Sequence, residues 1–235
     1  MMEIAALLST RAPEPDPRRA VAPYVEQLKT GSFSPGHGGP TVRGLVVSEV
    51  TDHLTEVQTA GALVQVWVEG DVGAAEVLEL LVPAHARAEL VLDAWVVGEL
   101  VFRQPVERES VGAAPDGVKL AGTAYRRDDY TLEAFFDYWR EVHAPISGSV
   151  PGLGGYVVHP VHEQLAGDLQ PDALLELWWP DRAVFEASGS APQQEAAWED
   201  VQRYAKTTGT FWLMRESVIV PPPPTGPGTL EVTGA

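Results

Sequence analysis

The chain has 235 residues, a hydrophobic fraction of 45% and a formal net charge of −17. An acidic surface of this size repels phosphate backbones and anionic lipid, which argues against binding to nucleic acid or to membrane surfaces. The sequence contains no cysteine, so disulfides, thiolate catalysis and cysteine-ligated metals are excluded. The apolar N-terminal segment is too short for a secretory signal, and no apolar run is long enough for a membrane span, which predicts a cytoplasmic protein.

The first half of the sequence predicts the element order β-α-β-β-α-β. Apolar and β-branched runs indicate the strands, and apolar residues three and four positions apart indicate the helices. The predicted elements are a strand over 2–10, a helix over 18–29, strands over 41–51 and 62–69, a helix over 72–86 that Pro83 ends or kinks, and one or two strands over 90–104. A glycine-rich segment over 31–40 is predicted to be a loop.

The second half predicts the same order. Thr131 is a suitable helix N-cap, Glu133 suits the first turn, and Pro145 predicts that the helix ends soon after His143. The predicted elements are a strand over 118–126, a helix over 131–143, strands over 155–161 and 173–179, a helical segment over 181–206 with a break at 189–192, and a last strand over 211–220.

The two halves are also related in sequence. Three segments match in the same order at offsets of 111, 111 and 112 residues: 44–47 with 155–158, 65–68 with 176–179, and 102–106 with 214–218. The alternative is that unrelated β-strands look alike. We interpret the three matches as a duplicated unit, with units over 1–110 and 117–220.

A βαββαβ unit places both helices on one face of an antiparallel sheet and leaves the other face apolar. Two such sheets can bury each other's bare faces. We therefore predict an α+β protein of two tandem ferredoxin-like units whose antiparallel sheets pack together within one chain. Residues 221–235 form a proline-rich tail. This tail is either a disordered end or a docking peptide on a stiff spacer, like the cargo tags that direct enzymes into protein shells.

The helix predicted over 131–143 carries the most informative pattern. Phe135, Trp139 and His143 recur at a spacing of four and share the face that looks toward the sheet. His143 is either a hydrogen-bonded core imidazole or a general acid/base at the mouth of a pocket. Burial disfavours the imidazolium, whereas the helix C-terminus favours it, and opposed effects of this kind can leave a proton acceptor near neutral pH.

The second half resembles the EthD family over about residues 117–220. The resemblance is carried by Glu133, Phe135, Tyr138, Trp139, His143 and Pro145, followed by Pro151-Gly152 and Gly155-Tyr156. It is supported by the strand Glu176-Leu177-Trp178-Trp179, the helix with Asp200 and the last strand with Glu216.

The resemblance implies the dimeric α/β-barrel fold, which EthD-like proteins share with muconolactone isomerases, polyketide cyclases, decarboxylases and cofactor-free monooxygenases. It also implies a pocket between sheet and helices, in which His143 transfers a proton without a cofactor. The first half departs from the pattern, because at the offset of 111 His143 falls on Ser32 and Trp139 on Leu28, while His37 lies in the glycine-rich loop. We therefore expect a degenerate first unit and a single pocket in the second.

The other site predictions are weaker. Tyr125 and Tyr156 either donate a hydrogen bond to a developing oxyanion or are half-buried strand tyrosines. Glu176 lies among apolar residues, so it needs a partner, and we expect it to orient His143 or to pair with Arg215. Trp178 and Trp179 face opposite sides of their strand. The predicted catalytic residues are His143, Tyr125 and Glu176, and the predicted substrate-binding residues are Phe135, Trp139, Tyr156, Trp178 and Arg215.

His159 and His162 are three positions apart on a strand and so face opposite ways, which argues against a metal site at this pair. The sequence has no motif of serine hydrolases, NTPases or dinucleotide-binding enzymes. We predict an enzyme that needs neither metal nor other cofactor and performs a cyclisation, isomerisation, dehydration or decarboxylation on a hydrophobic, aromatic or polyketide-like molecule. The alternatives are a cofactor-free monooxygenase and a non-catalytic binding or structural protein. Further homo-oligomerisation and docking through the tail stay open.

Overall fold

The computed structural model describes residues 1–10, 16–30, 41–55, 60–70, 73–82, 90–105, 111–113 and 117–224. The strands are β1 (Met2–Thr10), β2 (Thr41–His53), β3 (Ala62–Glu69), β4 (Leu90–Val97), β5 (Leu100–Arg103), β6 (Gly112–Ala113), β7 (Val118–Ala124), β8 (Gly155–Ala166), β9 (Ala173–Trp179) and β10 (Phe211–Val220). The helices are α1 (Pro17–Thr30), α2 (Ala74–Leu81), α3 (Leu132–Tyr138), α4 (Ala144–Gly148), α5 (Arg182–Ser188) and α6 (Pro192–Tyr204), with a π-helical turn (Trp139–His143) between α3 and α4.

The strands form a closed antiparallel barrel. Their order is β2-β3-β1-β4-β8-β9-β7-β10, and β10 pairs again with β2 to close the ring. The short strands β6 and β5 extend the sheet beside β10 and β8. The two seams between the halves are therefore the β4–β8 and β10–β2 pairs. This architecture confirms the predicted α+β fold of two tandem units, and the two sheets join edge to edge so that their bare faces enclose one interior.

The duplication is visible in the strand order, which reads second, third, first, fourth strand in each half. The segments 44–47 and 155–158 occupy equivalent strands, β2 and β8, and 65–68 and 176–179 occupy β3 and β9. Glu3 pairs with Trp67 as Lys119 pairs with Trp178, so Glu3 and Lys119 are equivalent positions.

The third sequence match, 102–106 with 214–218, is wrong. Val97 lies opposite Glu3 in the β1–β4 pair, and Met214 lies opposite Lys119 in the β7–β10 pair. Because Glu3 and Lys119 are equivalent, the partner of Met214 in the first half is Val97. Segments between strands differ in length in the two halves, so a fixed offset cannot be extended to the last strand.

Helices cover the outside of the barrel in each half. Helix α1 buries Val21, Val25 and Leu28 in an apolar cluster with the first-half strands. Helices of the second half pack a separate, aromatic cluster around Phe135 and Tyr204. A third cluster fills one end of the barrel interior. Outward and inward residues alternate along each strand, so every strand serves both an outer core and the interior.

The helix that carries His143 is uninterrupted and contains one wide, π-helical turn in its middle. Thr131 caps α3 by accepting a hydrogen bond from the Ala134 N–H at 3.1 Å. In the π-helical turn, the Ala144 N–H bonds to Trp139 O, five residues back, and α4 then runs to Gly148. The prediction that the helix ends at Pro145 is therefore wrong. Proline lacks an N–H and crowds the preceding turn of a regular helix, and the wider turn accommodates it.

Several predictions concern segments that lie outside the described residues. These are the loop over 31–40, with Ser32 at the offset position of His143 and His37 nearby, the end of the second predicted helix at Pro83, and the end of the tail, 225–235. Within the ranges that the structure describes, no helix combines the length and the apolar character that crossing a membrane requires.

Candidate active site

An imidazole–carboxylate pair lies between the sheet and the helices of the second half. His143 Nδ1 lies 3.0 Å from Asp200 Oδ2, and both side chains are almost fully buried. His143 ends the π-helical turn, and Asp200 projects from the inner face of α6. Asp200 Oδ1 also accepts a hydrogen bond from the Tyr138 hydroxyl at 2.8 Å. The carboxylate is thereby fixed, and it holds His143 in the tautomer that carries its proton on Nδ1.

The other nitrogen of His143 faces a chain of hydroxyl groups. Ser147 Oγ lies 2.7 Å from His143 Nε2. The Tyr156 hydroxyl accepts a hydrogen bond from Trp139 Nε1 at 2.6 Å and is also hydrogen-bonded to Ser147. With the Nδ1 proton bonded to Asp200, Nε2 is an acceptor and Ser147 donates to it. The hydrogen bonds thus all point the same way, from Trp139 Nε1 to the Tyr156 hydroxyl, from there to Ser147 Oγ, and from Ser147 to His143 Nε2. The two hydroxyl groups can relay a proton to His143.

Burial lowers the pKa of His143 below its ordinary value, and the hydrogen bond and charge of Asp200 oppose this effect without reversing it. The imidazole is therefore neutral at neutral pH and able to accept a proton. Burial also raises the pKa of Tyr156 above the range in which it would ionise. Tyr156 is thus a hydroxyl donor at neutral pH rather than a base.

A cavity of about 330 Å³ opens beside these groups. His143, Ser147 and Tyr156 line one side of it. Most of the remaining wall is apolar or aromatic, contributed by Leu120, Leu175, Leu177, Trp179, Phe185, Ala197, Trp198, Val201, Tyr204 and Phe211. Apart from Leu54, the described lining residues come from the second half of the chain. The volume is that of a small-molecule site, and its lining suits a hydrophobic ligand.

The pocket offers little to a metal ion. Among its described lining residues, His143 is the one imidazole, and none is a carboxylate. Catalytic zinc sites use three protein ligands, so the lining does not make such a site.

The structure brings together part of the predicted site. His143, Trp139 and Tyr156 all line the cavity. Phe135 is fully buried behind them, with its ring 5.3 Å from that of Trp139 and 5.4 Å from that of Tyr204. Phe135 therefore supports the wall of the pocket and does not form its surface.

The other predicted residues lie elsewhere. Tyr125 is not among the described residues that line the pocket, and its hydroxyl bonds to Thr123. Trp178 faces the barrel interior, where the Lys119 ammonium lies 5.2 Å from its ring centroid, while Trp179 packs on Phe185 of α5. The prediction that these two tryptophans face opposite sides is confirmed, but Trp178 cannot reach a ligand in the pocket.

Glu176 also points into the barrel and away from His143. It forms an ion pair with Lys119, and its Oε2 lies 3.1 Å from His159 Nε2. Arg215 is exposed on the outside of β10. The expectations that Glu176 orients His143 or pairs with Arg215 are therefore wrong, because Glu176 alternates to the inner face of its strand whereas the pocket and Arg215 lie outside.

Asp200 and Ser147 are the site residues that sequence reasoning did not place. Asp200 belongs to the EthD-like pattern and interrupts the otherwise apolar inner face of α6, between Ala197 and Tyr204. Ser147 stands four residues after His143, which is the spacing of neighbours on one helical face. The signal that the sequence offered for Asp200 was an acidic residue on an otherwise apolar helical face. Ser147 was missed because the helix was expected to end at Pro145.

The closed barrel of two tandem units, with a pocket under one helical layer, defines a protein of the dimeric α/β-barrel class. Residues 127–208 match the family model of the EthD domain, so the second half of this chain is similar to that family over these residues. The match includes the turn with His143 and the helix with Asp200.

Solved structures with the same fold span both halves. A protein described as anthrone oxidase-like has a TM-score of 0.59 at 12% identity and covers 93% of this chain and 93% of its own. A proposed monooxygenase from Lactobacillus acidophilus NCFM has a TM-score of 0.51 at 10% identity, with 94% and 98% covered. A proposed chlorite dismutase has a TM-score of 0.51 at 10% identity, with 91% and 95% covered. No curated protein sequence matches this chain.

Proposed function

We propose that this protein is a small-molecule enzyme whose active site is the second-half pocket, and that His143 is its general base. The observation that carries the proposal is a buried imidazole, fixed by Asp200, beside an apolar cavity of small-molecule size. Burial lowers the pKa of this imidazole, which favours its neutral form. A proton from the ligand is accepted at His143 Nε2, directly or through Ser147 Oγ. Asp200 then stabilises the imidazolium across the Nδ1 hydrogen bond.

The substrate class follows from the wall of the pocket. A lining of aliphatic and aromatic side chains favours a hydrophobic, aromatic or polyketide-like compound. Tyr156 lines the same cavity, and its hydroxyl, which donates to Ser147 in the free protein, can turn its one proton toward oxygen charge that develops when the ligand loses its proton. A base on one atom and a hydroxyl donor nearby suit enolisation chemistry, as in cyclisation, isomerisation, dehydration or decarboxylation.

A cofactor-free monooxygenase is the second candidate. The same base would ionise a phenol-like substrate, and the resulting carbanion would react with dioxygen. Proteins described as anthrone oxidase-like and as a monooxygenase share the barrel, which motivates this candidate. The two candidates differ in one measurable quantity, because only the monooxygenase consumes oxygen during turnover.

The first experiment is a thermal-shift screen of aromatic and polyketide-like acids and phenols on the wild type and on His143→Ala. A ligand that binds only the folded state raises Tm, and raises it further as the ligand concentration exceeds its Kd. We expect one ligand class to stabilise both proteins, because most of the pocket wall is unchanged, and the variant to lose turnover of that class. Oxygen uptake measured on the same ligands separates the two candidates.

His162→Gln is the matched control, because His162 is an exposed histidine outside the pocket. We expect it to retain both binding and turnover. A non-catalytic binding protein of this fold would instead show ligand stabilisation with no turnover in the wild type. If no compound shifts Tm and His143→Ala merely melts lower, His143 is a core residue and the proposal fails.

A further inference from the structure

A second cluster of ionisable and polar side chains lies inside the barrel, on the opposite face of the sheet from the pocket. Its members are buried and come from strands of both halves: Glu3, Ser48, Gln65, Lys119, His159, Glu176 and Glu216. Buried charges are costly unless each is paired with an opposite charge or a bound ion. The two ends of this cluster satisfy that requirement differently.

At one end, Lys119 supplies the positive charge. Its ammonium lies 2.8 Å from Glu216 Oε2 and 2.9 Å from Ser48 Oγ, and it also pairs with Glu176. Glu216 stands opposite Ser48 in the β10–β2 seam. A lysine therefore neutralises carboxylates where the second-half sheet meets the first.

At the other end, Glu3 stands in the position equivalent to Lys119. Glu99 stands two residues after Val97, as Glu216 stands two residues after the equivalent Met214. By the offset that relates β2 to β8, His159 is the counterpart of Ser48. The first half thus has a glutamate, Glu3, where the second half has Lys119. It also has an acid, Glu99, at the spacing at which the second half has Glu216.

These three residues present donor atoms to one another. Ligand atoms of Glu3, Glu99 and His159 all lie within 4.8 Å of each other. The loop with Glu99 is held against β8 by the hydrogen bond from Gly98 N to Pro160 O at 2.8 Å. His159 is fully buried, and its Nδ1 lies 3.3 Å from Glu3 Oε1 without a hydrogen bond of ordinary geometry. Burial lowers the pKa of His159, but the carboxylates of Glu3 and Glu176 outweigh this effect and raise the pKa to about 10, so in the absence of a metal ion the ring carries a proton on each nitrogen.

We propose that Glu3, Glu99 and His159 bind a divalent first-row metal ion, such as Zn²⁺ or Mn²⁺, inside the β1–β4–β8 part of the barrel. The ion replaces the proton on His159 Nδ1 and neutralises the carboxylates that face it, as Lys119 does at the equivalent end. His159 binds through Nδ1, and its Nε2 is 3.1 Å from Glu176 Oε2. Metal-bound histidines commonly donate their other N–H to a carboxylate, which fixes the ring for coordination.

One imidazole nitrogen and two carboxylates form a borderline-to-hard ligand set that suits Zn²⁺, Mn²⁺ or Fe²⁺. Glu99 is half-buried, so an ion can approach from its side. This site departs from the expectation of no metal, which rested on His159 and His162. His162 is exposed and takes no part, and the ligands that join His159 come from β1 and from the loop after β4.

The test uses the tag-free full chain, stripped with a chelator and then titrated with Zn²⁺ or with Mn²⁺. Isothermal titration calorimetry gives affinity, and elemental analysis after dialysis gives stoichiometry. We expect one ion per chain and a rise of Tm with metal concentration. Glu99→Gln should weaken binding at least about tenfold, and Glu176→Gln about 10- to 100-fold, because loss of the outer hydrogen bond loosens the ring.

Glu163→Gln is the matched control, because Glu163 is an exposed carboxylate on the same strand as His159. It should bind metal as the wild type does, and so should His162→Gln. If His159→Gln does not fold, Glu99→Gln carries the test, since Glu99 is half-buried at the edge of the cluster. Absence of stoichiometric metal in the wild type, or wild-type affinity in Glu99→Gln, would overturn the proposal and leave a proton on His159 as the balancing charge.

Discussion

Glu3 and Lys119 occupy equivalent positions in the two halves of the barrel and carry opposite charges. Both side chains are buried in the same interior cluster. The duplication has therefore kept the backbone while the halves have diverged in charge within the barrel. The halves also differ outside the barrel, because the pocket lining that the structure describes comes almost wholly from the second half.

The ion pairs of Lys119 give the first prediction. Lys119→Met should lower the free energy of unfolding by about 3–5 kcal/mol, because it removes the Lys119 ammonium from two buried carboxylates, Glu176 and Glu216. The double variant Lys119→Met/Glu216→Gln should lose less than the sum of the two single changes. Urea denaturation measures both. Lys29→Met is the control, since its ion pair with Glu49 is partly exposed and should contribute no more than about 1 kcal/mol.

The second prediction concerns the charge that Asp200 places beside His143. Asp200→Asn should lower the pKa of His143 further, because the carboxylate stabilises the imidazolium while burial disfavours it. Titration of the His143 ring signals by NMR measures the change. Asp129→Asn, which alters an exposed acid paired with Arg127, should leave that pKa unchanged. An unchanged or raised pKa in Asp200→Asn would show that the carboxylate does not stabilise the charged ring.

The lowered pKa of His143 also predicts how stability depends on pH. The folded protein binds a proton at His143 less readily than the unfolded chain does. The neutral His143 therefore makes its full contribution to the free energy of unfolding above its ordinary pKa of about 6.5. That contribution is lost as pH falls from there toward the lowered folded pKa. In His143→Gln this part of the acid destabilisation should disappear, whereas His162→Gln should keep it. Thermal unfolding between pH 5 and 8 is the measurement.

The fourth prediction concerns the cap of the helix that carries the base. Thr131→Ala should lower the free energy of unfolding by about 1 kcal/mol, because it removes the acceptor for the Ala134 N–H. Thr131→Ser keeps a hydroxyl in the same place and should restore most of the loss. The cap is exposed and does not line the pocket, so ligand affinity should stay the same in both variants. A loss of affinity in Thr131→Ala alone would instead indicate that the cap positions the base.

The element order was predictable because it depends on local patterns. Strand and helix periodicities, the glycine and proline breaks and the repeat of β2 and β3 in β8 and β9 are all contained in short stretches of sequence. The closed barrel follows from these patterns, because each sheet has one apolar face without helices and the two sheets of one chain can bury these faces against each other. The π-helical turn was not predictable, because a proline alone does not tell a helix end from a locally widened helix.

The partners of the charged residues depended on which face of a strand each residue occupies. Glu176 was expected to pair with Arg215, but the neighbouring Glu216 is the residue that turns inward, and Arg215 is exposed. A shift of one residue along a strand moves a side chain to the other face of the sheet. The sequence alone therefore did not tell whether Arg215 or Glu216 faces Glu176.

The sequence by itself determined the two-unit α/β barrel, its duplication and His143 as the residue to test, because hydrophobic periodicity and the EthD-like pattern are local properties of the chain. Only the tertiary structure decided that Asp200, 57 residues away, holds His143, and that Glu3, Glu99 and His159 meet inside the barrel. These groups meet only once the strands pair in register and the ring closes. Their charges then interact in a largely buried space, which no single segment of the sequence can specify.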